Sequence, residues 1–559
     1  MIYKWNQNTI KVMKIILLMV ISFFSIYLNG QPLQKEWVNT IPGSLYEQTS
    51  SMALAPCGDL YVVGFFQEYF GSISATGGED GFVAKFSQNG NLIWINQFNG
   101  SSVDRLNGIA VQDDNQIYIV GEFKGTVYYN NDSLVSQNEM DLILVKIDSS
   151  GTIQWANAGG GLGYESANDI CLSENGNLCV TGYFENDLNI DTTTIQGNGL
   201  RDIFIATFDQ MGNLIWLRSI GGPAFEDGRA IVTDNIDNIY ITGAFRDLMF
   251  LPGNDTLFGV GSYDAYVAKI DKNGILQWIK TMGGAAADEG VDINVDANQD
   301  IYAVGWYDRS MIVDSITLNG EKEEDGYIIK FDVNGNVLWS SSLAGEFDER
   351  VYAVDFDASN NVYIMGTLDS VLILGADTLY NRHFNRPTDI FITKFDQYGT
   401  CIWAQDFGYD YNDFGFDLLV QNSNTLYLTG SFQDTTIFIQ DTIMSQYGYD
   451  VFIAKFNIDT TVAIQKFSGQ VTKDLIDLQI IPNPSKISTN ICFTVTEPTD
   501  IKISLSDVYG KVVQSFLFKD MNIGTHLIPL FKQNNQNGVY FLNIKSNQSQ
   551  LSRSILFIE

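Results

Sequence analysis

Histidine is almost absent from this chain, since its 559 residues include only His383 and His526. The sequence also has no His-Glu-x-x-His, no Gly-x-Ser-x-Gly and no nucleotide-binding glycine loop between a strand and a helix, so it gives no support to a histidine-based hydrolase. Positive charge is scarce as well, with 32 Lys plus Arg against 66 Asp plus Glu and a net charge of −34. This balance argues against nucleic acid or an anionic membrane surface as a partner.

Cysteine is rare and scattered, which excludes a disulfide framework and a metal-binding cysteine cluster. The five residues are Cys57, Cys171, Cys179, Cys401 and Cys492. Cys171 and Cys179 flank one hairpin turn and could form a disulfide. Two buried thiols on neighbouring strands are the preferred interpretation.

Long apolar runs are missing except near the start of the chain. Lys14 precedes the run Ile15–Phe24, which is too short for a transmembrane helix and typical of a secretory signal peptide. We therefore expect residues 1–30 to be a signal peptide and the mature chain to have no transmembrane segment. The alternative is an uncleaved membrane anchor.

A repeat of about 61 residues, marked by tryptophan, accounts for most of the chain. The seven tryptophans are Trp37, Trp94, Trp155, Trp216, Trp278, Trp339 and Trp403. A unit of this size cannot bury its own apolar face, so the copies must pack side by side.

One repeat is predicted to form four short strands. Gly108–Val111 and Ile117–Val120 alternate apolar residues on either side of a polar turn, and Asp141–Ile147 leads through a glycine turn to the strand of Trp155. Four antiparallel strands repeated around a ring are a β-propeller blade. The aspartate that opens the third strand occurs seven times, at Asp80, Asp141, Asp202, Asp264, Asp325, Asp389 and Asp450. We predict an all-β fold in which residues 31–469 form a seven-bladed β-propeller of four-stranded blades.

The first tryptophan strand is predicted to close the ring. No third strand precedes Trp37, and the last copy ends at Val462–Phe467 without a tryptophan. The Trp37 strand would then complete the seventh blade, bury Trp37 and remove an exposed sheet edge.

The repeat resembles the bacterial β-propeller repeats called SBBP. The resemblance rests on Gly221-Gly222 followed by Glu226, on Asn238–Gly243, on Asp264–Lys269 and on the tryptophan that follows. It covers residues 34 to about 467 and implies a propeller, but it implies no activity because one propeller fold hosts many functions.

The tail has a different composition and no repeat. Alternating strands punctuated by turn residues predict a small antiparallel β-sandwich over residues 475–559. This region contains three motifs, at Pro482-Asn483-Pro484, Asp507 with Gly510-Lys511, and Gly538 with Tyr540. In these motifs the tail resembles the C-terminal sorting domain of the type IX secretion system of Bacteroidetes. Such domains usually end in a short basic stretch, whereas this chain ends Arg553-Ser-Ile-Leu-Phe-Ile-Glu559.

The sorting-domain resemblance implies a route and a partner. The signal peptide would take the chain to the periplasm, and the tail would engage the type IX secretion machinery for transport across the outer membrane. The protein is then expected to be secreted or held on the outer-membrane surface.

A carboxylate stands ten residues after every repeat tryptophan. These residues are Glu47, Asp104, Glu165, Glu226, Asp288, Glu349 and Asp413. If they ring one mouth of the central channel, they could bind Ca²⁺, which takes several oxygen ligands. The preferred interpretation is structural: each carboxylate accepts hydrogen bonds from backbone amides at a turn between blades.

Broken symmetry in the last repeats suggests a ligand site. In Phe407–Phe414, aromatic residues stand where the other repeats have small ones. Aromatic faces beside carboxylates suit the binding of sugar rings. Tyr409, Asp410, Tyr411 and Asp413 form the carbohydrate-contact hypothesis, with local packing as the alternative. The sequence therefore predicts a non-catalytic binding or scaffolding module with a glycan or surface protein as partner. The alternatives are a glycan hydrolase or lyase using paired carboxylates at the channel mouth, and a purely structural surface protein.

Overall fold

The computed structural model describes two ranges of the chain. The first is 33–458 without residues 99, 130, 131, 254, 370, 376, 382–386, 410 and 440, and the second comprises 475–481, 488–495, 498–507, 511–521, 524–531, 538–546 and 550–557. The proposed signal peptide and Val462–Phe467 lie outside these residues. Within them, no helix has the length and apolarity needed for crossing a membrane.

The first range contains seven sets of four antiparallel strands, which we number as blades 1 to 7; the set of blade 2 is continuous with a short hairpin of blade 3. Blades 1 to 3 are Glu47–Leu54, Leu60–Phe66, Asp80–Phe86, Leu92–Phe98; Asp104–Asp113, Gln116–Phe123, Asp141–Ile147, Ile153–Gly160; and Glu165–Leu172, Leu178–Phe184, Asp202–Phe208, Leu214–Ile220. Blades 4 and 5 are Glu226–Thr233, Ile239–Phe245, Asp264–Ile270, Leu276–Met282; and Asp288–Val295, Ile301–Val313, Ile316–Phe331, Val337–Leu343. Blades 6 and 7 are Glu349–Phe356, Val362–Leu368, Asp389–Phe395, Cys401–Phe407; and Asp413–Asn422, Thr425–Phe438, Asp441–Ile458, Leu33–Ile41.

The blades form a closed ring around a central channel. The first strand of each blade contacts the first strand of the next, and the first strand of blade 7 contacts that of blade 1. Blade 7 takes its fourth strand from the other end of the range, because Leu33–Ile41 pairs antiparallel with Asp441–Ile458 and places Trp37 opposite Lys455. The all-β propeller fold and the role of the Trp37 strand in closing the ring are confirmed.

Each repeat also contains a second hairpin that four-strand reasoning did not predict. In five blades two short strands lie between the second and third strands, namely Tyr69–Phe70 with Ile73–Ser74, Thr126–Tyr129 with Asp132–Val135, Asp187–Ile190 with Thr193–Gln196, Leu248–Leu251 with Asp255–Phe258, and Val371–Leu374 with Asp377–Tyr380. In blades 5 and 7 the second and third strands themselves extend into this hairpin. The hairpin docks on the preceding inter-blade turn, as in the bridge between Gly221 and Phe250.

In six of the seven blades a tyrosine of the second strand lies between a lysine and a tryptophan. Its ring is 4.7 to 5.6 Å from the lysine Nζ in six blades, through the pairs Tyr61–Lys85, Tyr118–Lys146, Tyr240–Lys269, Tyr302–Lys330, Tyr363–Lys394 and Tyr427–Lys455. In blade 3, Cys179 occupies the tyrosine position and Thr207 the lysine position, and Cys179 Sγ lies 3.8 Å from Thr207 Oγ1. Cys179 is buried, and Cys171 opposite it is partly buried. Both thiols are free, as preferred from the sequence, although only one of them is fully buried.

The repeat tryptophans join neighbouring blades. Trp37 packs on Tyr427 of its own blade at 6.1 Å, and its Nε1 donates to the Gln88 carbonyl of blade 1 at 3.2 Å. Gly90 in that turn has a φ of 82°, and a Cβ there would lie 2.6 Å from the indole ring, so only glycine fits. Trp94, Trp216, Trp278 and Trp339 make the same bond to the next blade. Trp37 is therefore partly buried, not fully buried as predicted, because the indole lies over the rim of this joint.

The second range belongs to a separate compact unit, Thr461–Glu559, while the propeller lies in Met1–Thr460. Its sheets are antiparallel: one contains Leu475–Ile481, Ser488–Val495 and Gly524–Phe531, and the other contains Val512–Met521, Thr499–Asp507, Gly538–Lys545 and Gln550–Phe557. Ile491, Phe493, Ile503 and Leu542 lie in its buried core. These residues form the predicted small β-sandwich.

Trp37→Ala should weaken the propeller as much as the same change inside the ring. It removes the contact with Tyr427 and the bond to Gln88, and we expect a loss of about 2 to 4 kcal/mol in the free energy of unfolding, below the cost of a fully buried tryptophan. Denaturant unfolding of the full chain followed by circular dichroism measures the loss.

Trp278→Ala is the matched control, because Trp278 makes the same contacts between blades 4 and 5. A Trp37→Ala loss no larger than that of Met211→Ala, whose side chain is 76% exposed, would contradict the closing role.

Candidate functional site

The seven carboxylates that follow the tryptophans all open the first strand of a blade, and all are fully buried. The turn that enters the strand supplies backbone donors to Glu47, Glu165, Glu226 and Asp288. Glu226 Oε2 accepts from Gly222 N at 2.7 Å, Asp288 Oδ2 from Gly284 N at 2.6 Å, and Glu47 Oε1 from Ser44 N at 3.0 Å. This is the arrangement that the structural interpretation of the ring predicts.

Six of the first-strand carboxylates lie beside the aspartate that opens the third strand of the preceding blade. The charge of that aspartate acts on its neighbour in the pairs Asp450–Glu47, Asp80–Asp104, Asp141–Glu165, Asp202–Glu226, Asp264–Asp288 and Asp389–Asp413. We call these the inter-blade carboxyl pairs. They place two buried acids at one joint between blades.

The glycine pairs of the repeat make room for these acids. A Cβ on Gly221 would lie 1.7 Å from Asp202 Oδ1, and a Cβ on Gly222 would lie 1.8 Å from the Leu248 carbonyl oxygen. Neither glycine has a positive φ, so close approach alone requires glycine here.

Burial keeps these acids from ionising in the usual range. It raises the pKa of Glu47, Glu165, Glu226 and Asp288 to about 8 and that of Asp104 to about 7. It also raises the pKa of Asp413 well above its ordinary value. Desolvation is the main cause, and the partner aspartate adds to it. At neutral pH the four carboxyl groups with a pKa of about 8 are therefore mostly protonated.

The calcium prediction for the ring gains no support from this geometry. Among the residues that the structure describes, no three His, Cys, Asp or Glu side chains have the arrangement that could hold a metal ion. Each of the seven carboxylates opens the first strand of a different blade.

A second set of carboxylates, which sequence reasoning missed, joins the first strands deeper in the channel. Asp169 accepts from Ile231 N at 2.8 Å, and Asp292 accepts from Val354 N at 2.8 Å. Asp417 accepts from Met52 N at 2.7 Å and so joins blade 7 to blade 1. Burial raises the pKa of these three acids to about 7. Their hydrogen bonds to the next blade make them structural links.

The first strands also hold the residues that differ most between blades. The residue two after each ring carboxylate is buried and packs between blades: Thr49, Leu106, Ala167, Gly228, Gly290, Val351 and Gly415. A β-bulge leaves the residue three after the carboxylate without a partner in the neighbouring strand. In blades 2 and 3 this residue still bonds to the next blade, because Asn107 and Asn168 donate to the carbonyls of Ala167 and Gly228 at 3.0 and 2.8 Å. All residues at the positions one and three after the carboxylate except Ser166 are at least partly exposed. The exposed residues one after the carboxylate are Gln48, Arg105, Asp227, Glu289, Arg350 and Phe414. Those three after it are Ser50, Asn107, Asn168, Arg229, Val291, Tyr352 and Phe416. They define the channel mouth at the end where the inter-blade turns lie.

Aromatic rings occupy one side of this mouth. Six rings form a continuous series with centroids 5.5 to 6.0 Å apart from Phe65 through Tyr46, Tyr449, Phe414 and Phe416 to Tyr352. We call this series the aromatic arc. It spans blades 1, 7 and 6, and an arginine stands at each end: Arg105 lies 5.1 Å from the Phe65 ring, and Arg350 lies beside Tyr352 and 5.2 Å from the Trp306 ring.

Ion pairs occupy the other side of the mouth. Arg229 Nε lies 2.8 Å from Glu289 Oε1 across blades 4 and 5, and Arg105 Nη1 lies 3.1 Å from Glu122 Oε1. Arg201 bonds to Asp227 at 3.2 Å. The Arg229 side chain is still 44% exposed, so paired donors and acceptors face solvent.

The carbohydrate-contact residues of the sequence hypothesis lie next to the arc. Tyr409 and Tyr411 are 38% and 49% exposed on the turn that enters blade 7, and Asn412 Nδ2 in the same turn donates to Tyr449 Oη at 3.2 Å. Asp413 is fully buried and accepts from Thr436 Oγ1 at 2.7 Å, so its carboxylate does not face a ligand. Asp410 lies outside the described residues.

The structure describes part of the sorting motif. Tyr540 is buried in the core of the sandwich, and its strand pairs with the strand end at Asp507. Lys511 is exposed and Gly538 begins a strand. Pro482, Asn483, Pro484 and Gly510 lie outside the described residues.

Comparison with known families identifies the tail. Residues 479–559 match the secretion system C-terminal sorting domain. This domain marks the chain as a protein exported by type IX secretion to the cell surface or the medium.

The chain also resembles other proteins, at lower similarity. An uncharacterized WD repeat-containing protein of Acanthamoeba polyphaga mimivirus is 23% identical over 180 residues, which cover 28% of this chain and 13% of that protein. A fungal alcohol oxidase of the AA5 family in complex with copper is 11% identical with a TM-score of 0.40, covering 95% of this chain and 100% of its own. A protein of unknown function from Bacteroides caccae is 11% identical with a TM-score of 0.32, covering 62% and 93%. Likenesses at this level carry no argument about function.

The inter-blade carboxyl pairs should make the propeller less stable as pH rises. A carboxyl whose folded pKa is about 8 and whose unfolded pKa is near 4.5 stabilises the fold below about pH 4.5 and loses that contribution as pH approaches 8. The free energy of unfolding should therefore fall across this window. In Glu226→Gln the amide oxygen can still accept from Gly222 N but cannot ionise, so the fall should be shallower by at most about 1.4 kcal/mol per pH unit.

Denaturant unfolding at pH 5, 6, 7 and 8 measures the slope, with Glu174→Gln, at an exposed carboxyl, as the control. Parallel slopes for wild type and Glu226→Gln would show that this pair does not hold a proton.

Proposed function

We propose that this chain is an exported, non-catalytic binding module that holds its ligand at the channel mouth. The observation that carries the proposal is the division of residues along the first strands. The ring carboxylate is Glu or Asp in all seven blades, while the positions one and three after it, at the mouth, range from Ser50 to Arg229 to Phe416. The requirements of packing are the same in every blade, so packing does not account for this variation. A ligand that contacts each blade in a different way accounts for it.

The tail supports the exported part of the proposal. The matched sorting domain implies recognition by the type IX machinery. The propeller closes through Leu33–Ile41 without any residue of the tail, so the two parts have separable roles. The chain would reach the periplasm before crossing the outer membrane.

The position of the carboxylates favours binding over catalysis. A glycoside hydrolase needs two carboxyl groups that flank the scissile bond. Here the ring carboxylates are fully buried and accept backbone N–H groups, and Asp169 and its equivalents hold the next blade. Carboxylates that are exposed at the mouth, such as Glu289, pair with arginine.

Deleting residues 475–559 should leave a folded propeller inside the cell envelope. The deletion removes the sorting domain but no strand of the ring, so we expect the truncated protein in the periplasm with a circular dichroism spectrum typical of β-sheet. Immunoblots of periplasm, cell surface and medium measure the distribution against the full chain. Normal amounts of truncated protein in the medium or on the surface would contradict the role of the tail.

Binding without turnover is expected when the full chain is applied to arrays of glycans and peptides. Tyr352→Ala with Phe416→Ala should lower the signal at least tenfold by removing two rings of the mouth. Tyr398→Ala is the matched control, since Tyr398 is 76% exposed in a turn at the opposite end of blade 6.

New reducing ends released from a bound glycan would show that the chain is an enzyme. No signal on either array would favour the purely structural alternative.

A further inference from the structure

We infer that the channel mouth binds a neutral oligosaccharide along the aromatic arc. This inference rests on the proposed function and adds the class of ligand. It involves Tyr46, Tyr449, Phe414, Phe416 and Tyr352, of which only Phe414 belongs to a segment whose aromatic character stands out in the sequence.

The arc offers partly exposed rings that packing does not fully cover. Tyr46 is 37% exposed, and Tyr352, Phe414, Phe416 and Tyr449 are partly exposed. The rings contact each other at tilted or edge-on angles in all but one of the five steps, so the series presents faces in several directions. Pyranose rings with equatorial hydroxyls have apolar C–H faces that pack on aromatic faces.

Hydrogen-bonding groups stand at both ends of the arc in fixed positions. The Tyr46 hydroxyl donates to Gln48 Oε1 at 2.8 Å. Arg105 is held by Glu79 and Glu122, and Arg350 is held by Glu324. Such preorganised groups bind hydroxyls with little loss of side-chain entropy.

The charge of the mouth disfavours an anionic ligand. Its four arginines, Arg105, Arg201, Arg229 and Arg350, contact six carboxylates: Glu79, Glu122, Glu185, Asp227, Glu289 and Glu324. Every arginine is therefore neutralised, and the chain as a whole carries −34. An acidic polysaccharide or a nucleic acid would be repelled.

The length of the aromatic arc favours an oligosaccharide over a monosaccharide. Its six rings cross three blades and the closure of the ring, so a monosaccharide would contact only a small part of it. Affinity should increase from a disaccharide to a hexasaccharide as more rings are covered.

Isothermal titration of the full chain with neutral β-1,4-linked hexasaccharides of glucose, xylose and mannose tests the inference. At least one should bind, at least tenfold more tightly than its disaccharide and than hexagalacturonate. Tyr46→Ala should weaken this binding at least tenfold. Tyr46→Phe keeps the ring and should change it less than threefold, and Tyr398→Ala should leave it unchanged. Thermal unfolding of each variant shows that the fold is retained.

Three results would overturn the inference: no neutral hexasaccharide binds, hexagalacturonate binds as well as the neutral chains, or folded Tyr46→Ala binds as wild type does. If the arrays instead give a peptide that the mouth variant loses, the glycan inference fails while the binding function stands. If no ligand depends on the mouth, both fail.

Discussion

Closure of the ring is the constraint on which the rest of the structure depends. Leu33–Ile41 pairs with Asp441–Ile458, so the two ends of the propeller range form one blade and no sheet edge stays open between blades 7 and 1. The same joint carries an Asp417 bond to Met52, the contact between Tyr46 and Tyr449, and the pair of Asp450 with Glu47. The aromatic arc crosses this joint, and an open ring would divide it.

The joints between blades repeat the same residue types, and these include carboxyl groups that are unfavourable to bury in ionised form. Buried acids accept hydrogen bonds from backbone donors of the entering turn, as Glu226 does, and repeat tryptophans bond to the next blade, as Trp278 does. Burial makes ionisation of these acids unfavourable, so they contribute most when protonated. Because these residues recur, they can be assigned to packing, which leaves the unrepeated residues at the channel mouth for binding. The sorting domain adds the route by which this mouth reaches the outside of the cell.

The period of the tryptophans and the third-strand aspartates was enough to predict the fold, since both residues are fixed by contacts that every blade needs. The backbone role of the ring carboxylates followed from the same logic. The second hairpin was missed because its strands are short and mostly exposed, so they lack a clear alternation of apolar residues. The mouth was missed because its residues share no type. Comparing equivalent positions after each ring carboxylate would have revealed them, as Gln48, Arg105 and Phe414 show. The exposure of Trp37 depends on the geometry at the outer edge of the joint between blades 7 and 1, and the sequence does not reveal that geometry.

The central claim is that the mouth residues serve binding and the repeated residues serve the fold. It is tested most directly by giving blades 6 and 7 the mouth residues of blade 1. Arg350→Gln, Tyr352→Ser, Phe414→Gln and Phe416→Ser place the side chain types of Gln48 and Ser50 at equivalent positions. Thermal unfolding and oligosaccharide titration of this fourfold variant are then compared with wild type. The account predicts an unfolding midpoint within about 5 °C of wild type, as for surface changes, with binding abolished. A midpoint lowered as far as by Trp37→Ala, or undiminished binding, would contradict it.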